Sequence, residues 1–298
     1  MTAASHAAAR APAWPALALT FNAFVWGVAW WPFRQLQGLG LHPLWATVLI
    51  YVVAVAVIAA ARPGAPRLLL RTPALWVVVV ASGTTNAAFN WAMVIGDVVR
   101  VVLLFYLMPL WAVLLARIVL HEALTRAAAL RVLLALAGAA IVLWPAGEGW
   151  PLPRTLADAL GIVGGFAFAL NNVMLRREAA QPEEGRALAM FGGGVAVAGA
   201  LALALAARGD VPWPPAAAPG WLVATFGLSV VFLLSNFALQ FGAARLPANV
   251  TAVVLLTEVV FAVGSALALG GGTLTPQLLL GGALIVAAAA LAALRRGD

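Results

Sequence analysis

Leu107-Met108-Pro109-Leu110-Trp111-Ala112-Val113 lines up with Thr257-Glu258-Val259-Val260-Phe261-Ala262-Val263 at a spacing of 150 residues. The same register brings His121-Glu122-Ala123-Leu124-Thr125 onto Gly271-Gly272-Thr273-Leu274-Thr275. Nearer the start, at a spacing of 142, Trp26-Gly27 meets Phe168-Ala169 and Arg34 meets Arg176. Apolar segments resemble each other by chance, so each match is weak alone. Their common order and nearly constant spacing point to a two-fold duplication.

What is duplicated follows from the composition around these stretches. Of the 298 residues, 64% are hydrophobic and 9% charged, and the mean hydropathy is +1.03. Soluble domains carry roughly 25% charged residues. A membrane-spanning helix needs about 20 apolar residues, so this supply fills nine or ten spans. The segments are apolar all round rather than alternating, which excludes an outer-membrane barrel. The fold class expected is therefore an all-α membrane protein.

The apolar runs and the glycine and proline between them predict ten transmembrane helices: Pro15–Phe33, Leu44–Ala61, Ala74–Val94, Val98–Leu120, Ala127–Leu143, Ala159–Leu175, Ala187–Ala207, Trp221–Phe241, Ala248–Leu269 and Gln277–Leu294. This divides the chain into a short N-terminus (1–14), a first five-helix repeat (15–145), a connecting loop (146–158) and a second five-helix repeat (159–298). Five is odd, so the second copy is expected upside down. Inverted repeats recur in secondary transporters, with the substrate site between the halves near the midplane.

All 17 basic residues are arginine, and the net charge is +7. Ten spans place 13 arginines on the side of both termini and four, Arg34, Arg100, Arg154 and Arg208, on the other. The positive-inside bias makes both termini cytoplasmic. Scattered arginines at helix ends, with no basic patch of stacking aromatics, argue against nucleic acid as a partner. The absence of cysteine excludes disulfides and thiolate chemistry.

Trp26-Gly27 early in the first span, Pro109 in the fourth and Glu122-Ala123-Leu124-Thr125 at its end, set in the ten-span duplicated layout, resemble the drug/metabolite transporter superfamily in its EamA-type branch. Within that branch the chain is similar to bacterial exporters of aromatic amino acids. The resemblance implies a multi-pass protein of the bacterial inner membrane whose central cavity opens alternately to either side and carries small metabolites outward. One departure stands out: the glutamate usual at the end of the ninth helix is Gly272 here.

Polar groups in hydrocarbon are costly and mark function. Span 1 carries Asn22, Trp26 and Trp30 at i, i+4 and i+8, hence on one face. Span 3 carries Asn86, Asn90 and Trp91; span 4, Tyr106 before Pro109; span 6, Asn171 and Asn172; span 8, Asn236 and Gln240; span 9, Glu258. Repeat-equivalent spans 1, 3, 4 and 6, 8, 9 thus hold the polar stripes, predicting a cavity lined by these six with spans 2, 5, 7 and 10 outside. Interhelical amide hydrogen bonds, averaging about 0.6 kcal/mol, are the competing explanation for any one residue. A charged carboxylate at the bilayer centre costs about 2.5–3.5 kcal/mol, which makes Glu258 the sharpest signal. Three readings of it stand open: a proton carrier, a partner for a substrate amino group, or a neutral acid bonded to Asn171, Asn172 or Asn236. Arg100 is expected to snorkel to the interface, with Asp97 as the alternative partner, and Glu122 to pair with Arg126. Trp111 has no polar neighbour and is expected to face lipid. Pro109 supplies a kink that is either a hinge or a packing feature.

Three histidines, His6, His42 and His121, are too scattered for a metal site. Gly227-Leu228-Ser229 lacks an intramembrane base. Neither a phosphate-cradling loop nor an ion filter is visible. The sequence therefore predicts a transporter rather than an enzyme, without cofactor or metal. Its expected partners are amino acids, the lipid bilayer and, if transport is ion-coupled, protons, with the chain acting as a monomer. The ninth span has Gly264 as its only helix-weakening residue and no proline, so no helix break, and hence no sodium site, is expected there. A nucleotide-sugar or drug carrier of the same superfamily is the alternative.

Overall fold

The computed structural model describes residues 14–123, 125–144, 150, 152–246 and 248–294, and every regular element among them is an α-helix. The expected cytoplasmic N-terminus, Arg295-Arg296 and part of the 146–158 connection lie outside the described residues. Eight stretches are long and apolar enough to cross a membrane. They are Trp14–Gly38 (α1, Trp14–Val28, and α2, Trp30–Gly38), Pro43–Ala61 (α3), Pro73–Ile95 (α5), Val98–Val119 (α6, Val98–Phe105, and α7, Met108–Val119), Arg126–Leu143 (α8), Leu156–Arg177 (α9), Glu183–Ala207 (α10) and Pro219–Ala243 (α11). A short helix, α4 (Ala65–Arg71), follows α3. The region of expected spans nine and ten holds two short pieces, α12 (Ala248–Leu255) and α13 (Thr257–Ala268), and then α14 (Pro276–Leu294).

Three spans are interrupted, and the causes are local. Pro32 and Pro109 have no N–H to return to the carbonyls of Val28 and Phe105 one turn earlier, and the chain breaks at Ala29 and at Tyr106-Leu107. The third break, at Leu256, corrects the expectation of an uninterrupted ninth span. No proline is needed there, because the Thr257 hydroxyl donates to the Val254 carbonyl at 2.6 Å and competes with the backbone ladder. The helix after it carries Glu258 in its first turn, where acidic residues are favoured.

α5 is buried on nearly every side because Ala81, Ser82, Gly83, Ala87 and Ala88 let neighbours come close. At its crossing with α10, a Cβ on Gly83 would collide with the Gly193 carbonyl, and one on Gly193 with the Val79 carbonyl. By contrast, a Cβ on Gly192 would meet nothing within 4 Å. Gly193→Ala is therefore expected to destabilise by about 1–3 kcal/mol, as overpacking does. Gly192→Ala, one residue away, should be neutral or gain up to about 1 kcal/mol of helix propensity. Thermal unfolding of the two variants in detergent checks this, and equal midpoints would refute the crossing as drawn.

Side chains cap the first turns of α3, α6, α8 and α9. Burial holds the His42 imidazole down at about 4, so it stays neutral and its Nδ1 accepts the Leu44 N–H that begins α3. Thr155 and Asp158 form a capping box at the start of α9. Asp158 also anchors an ion pair that corrects the reading of Arg100 as an interfacial snorkel. Arg100 Nε and Nη2 reach the two Asp158 oxygens at 2.6 and 3.1 Å, and Nη1 donates to the Val142 carbonyl at 2.5 Å. The pair joins the start of α6, the end of α8 and the start of α9. Asp158, inside the predicted connecting loop, was the hidden partner. A second correction concerns Glu122, which pairs with Arg176 of α9 at 2.6 Å rather than with Arg126.

Candidate functional site

The breaks in α6/α7 and α12/α13 face each other. Tyr106, 3% exposed, sits in the first break, and Glu258 lies in the first turn of α13, immediately after the second. The Tyr106 hydroxyl and the Glu258 carboxyl face each other across the two breaks and interact electrostatically. A helix N-terminus carries partial positive charge, worth about 0.3–1 kcal/mol to a nearby carboxylate and up to about 2 when partly buried. The break thus places Glu258 where the backbone itself offsets part of the cost of its charge. Among the described residues, none of Asn171, Asn172 or Asn236, its expected amide partners, bonds to it; Asn236 accepts from Gln240 instead.

Each break is crossed closely by a glycine from the opposite half of the chain. Gly27 of α1 lies against Glu258, so close that a Cβ there would sit 2.8 Å from the Glu258 carbonyl oxygen and 2.7 Å from Phe261 Cβ. Gly165 of α9 lies against Phe105 in the same manner. Three residues on from Gly27, Trp30 is 2% exposed and donates from Nε1 to Ser265 Oγ at 2.9 Å. Ser265 in turn bonds the carbonyls of Ala262 and Gly27. Tyr106, Glu258 and Trp30 thus belong to one constellation, with Ser265 a member that the polar-stripe reading missed. Its signal was available: Ser265 is two turns after Glu258 on the same face.

The other expected site residues are distributed differently. Asn22 donates to the Ser235 carbonyl and hydroxyl at 3.0 and 2.7 Å. Asn86 accepts from Tyr51 at 2.6 Å and donates to the Ser82 carbonyl, and Asn90 donates to Thr47 at 3.0 Å. These three amides tie helices together. Trp91 packs edge-on against His42, with ring centroids 5.2 Å apart, and Trp26 against Phe232 at 4.8 Å. Asn172 and Gln240 are exposed near the ends of α9 and α11, and Gln240 bonds Asn236.

Asn171 is buried, with its Oδ1 lacking a hydrogen-bond partner. Trp111 also departs from expectation: it packs edge-on against Phe166 at 5.5 Å instead of turning wholly to lipid, and its buried Nε1 is unsatisfied. Such orphans are costly unless a solute or water completes them. Tyr51 packs against the rings of Phe191 and Phe232, with centroids 5.7 and 6.5 Å apart, and leaves no space for a solute between them.

Residues 13–144 match the EamA-like transporter family. The match runs from α1 through α8 and includes Trp26-Gly27, Tyr106, Pro109 and Glu122. The chain is also similar to a solved crystal structure, described only as that of a protein, at 22% identity and a TM-score of 0.56, over 93% of this chain and 96% of that one. That likeness shows a shared fold over nearly the full length. No curated protein matches the sequence. The EamA-like match and the eight apolar helices describe a multi-pass membrane protein whose first half is similar to that transporter family.

Proposed function

We propose that the chain is an EamA-type secondary transporter that exports amino acids, aromatic ones included, and related small metabolites across the bacterial inner membrane by alternating access. Its ten helices form two inverted five-helix halves with both termini cytoplasmic. The observation that carries the reading is the Tyr106–Glu258 pair at two facing helix breaks. Broken helices meeting at mid-membrane are where secondary transporters hold solutes, because half-helix ends present charge to them without exposing backbone to lipid.

Pseudo-symmetry supports the inverted repeat. Gly138 of α8 and Gly281 of α14 stand 143 residues apart, close to the repeat spacing, and touch: a Cβ on either would lie 2.6–2.8 Å from the other's carbonyl oxygen. Residues related by a two-fold axis meet each other on that axis. The crossings at Gly27 and Gly165 extend the same relation to the breaks.

Glu258 offers a carboxylate to a substrate ammonium group or to a proton. Tyr106 orients it and Trp30 flanks it, while the orphaned Asn171 and Trp111 supply further polar contacts towards the arginine-rich face. Amino acids, with a charged end and a variable side chain, suit this set. The assignment of amino acids and of outward direction draws on the family resemblance. Counterflow in proteoliposomes with phenylalanine, tryptophan, threonine and a nucleotide sugar tests it: exchange of the amino acids is expected, and exchange of the nucleotide sugar alone would replace the reading by a nucleotide-sugar carrier.

A further inference from the structure

The arginine-poor end of the bundle is closed by a cluster built from both halves of the chain. Arg34, at the end of the first span, donates to the carbonyls of Met93 at 3.2 Å, Gly96 at 2.5 Å and Gly271 at 3.4 Å. Its guanidinium lies over the Trp30 ring, 4.8 Å from the centroid, and Asp97 attracts it electrostatically. Asp97 Oδ2 accepts from Thr273 N at 2.7 Å, and Val98 N donates to the Gly271 carbonyl at 3.1 Å. Gly271 is pressed so tightly on the Trp30 ring that no side chain fits there. The ends of spans 1, 3 and 9 therefore meet over Trp30, and Trp30 bonds Ser265, two turns from Glu258.

The opposite face carries a counterpart at repeat-equivalent positions. Arg34 and Arg176 are 142 residues apart, and Glu122 and Gly272 are 150 apart, the two spacings of the duplication. Arg176 pairs with Glu122 at 2.6 Å, while Arg34 grips the chain at Gly271, beside Gly272. Each arginine thus ties the first span of one half to the far end of the broken span of a half. The two latches differ in chemistry. One is a solvated ion pair; the other is a set of bonds from a cation to neutral carbonyls, because Gly272 stands where the first half has a carboxylate.

We propose that Arg34 and Arg176 are paired latches that close the two ends of the transport path and release in alternation. This rests on the transporter reading above. The connection from Arg34 through Trp30, Ser265 and Gly27 to the Glu258 backbone makes the arginine-poor latch responsive to what Glu258 holds. A ligand can shift the equilibrium between the two openings only by binding one of them better. A direct chain of contacts from the site to the latch provides for that difference.

The chain contains no cysteine, so introduced thiols report without background. Ser265→Cys, beneath the Arg34 latch, and Thr251→Cys, in α12 on the arginine-rich side, are labelled separately with a membrane-impermeant maleimide applied to one face. Arg34→Ala is expected to raise labelling of the first from the arginine-poor face by about tenfold and to lower labelling of the second from the other face. Arg176→Ala should do the reverse. Unchanged labelling, or a rise at both reporters in either variant, overturns the proposal.

A second measurement covers the case in which those variants fold poorly. A Cβ on Gly272 would lie 3.2 Å from Asp97 Cγ, close to where a sulfur would sit in Asp97→Cys, so Asp97→Cys/Gly272→Cys is placed to form a disulfide. Its oxidation should stop phenylalanine counterflow and reduction restore it. Full exchange by the oxidised protein would show that this end does not open. Absence of exchange for every solute before oxidation would instead count against the transporter reading, while the labelling result still decides the latches.

Discussion

Glu258→Gln is expected to slow exchange of phenylalanine in proteoliposomes by about a hundredfold, equivalent to about 2.7 kcal/mol of lost transition-state stabilisation. The amide keeps the shape and a hydrogen-bonding oxygen for Tyr106 but can neither carry a proton nor balance an ammonium group. Folding should be spared, because burying an amide costs less than burying a charge. The expected signature is therefore a large loss of rate with an unfolding midpoint equal to or above that of the parent. A Glu258→Gln protein that exchanges at the parent rate at every pH from about 5 to 8 would make Glu258 a packing residue and end the proton hypothesis with it.

Arg100→Ala should have the largest effect on stability. Asp158 is 2% exposed, and removing the guanidinium leaves a buried carboxylate with only the Arg154 and Thr155 N–H groups as partners. Breaking such a pair from one side typically costs about 3–5 kcal/mol. Replacing both members, as Arg100→Met/Asp158→Leu, should recover most of that loss, since no charge is then stranded. The double variant should still fall short of the parent by about 1 kcal/mol, because Asp158 also serves in the α9 capping box. Chemical or thermal unfolding of both proteins in the same detergent decides it. A single variant within about 0.5 kcal/mol of the parent would mean that water already reaches Asp158.

The sequence by itself determined that this is a helical membrane protein and where most of its spans lie. Those properties rest on local quantities, namely the length of apolar runs and the chemistry of the residues between them, which lipid reads one helix at a time. The fourth-span break was legible for the same reason, since Pro109 lacks its N–H wherever the chain is placed. Prominence of Glu258 was legible too, because the cost of a mid-span carboxylate does not depend on its neighbours.

Only the tertiary structure decided which polar groups meet. Asn22, Asn86 and Asn90 lie on the same helical faces that a cavity would use, yet each finds Ser235, Tyr51 or Thr47 across a helix crossing. An amide that binds a solute and one that binds a neighbouring helix carry the same pattern in one dimension. Arg100 and Asp158 are 58 residues apart, and Arg176 and Glu122 are 54 apart; nearer candidates in the chain were available to both arginine-carboxylate pairs. The break at Leu256 arises from a threonine hydroxyl competing for a carbonyl that a helix would otherwise keep, and Gly27 packs against the first turns of the helix that follows. Partner choice of this kind depends on how helices from opposite halves cross, and the small residues that permit those crossings, Gly27, Gly83, Gly165 and Gly193, carry no polar signal of their own.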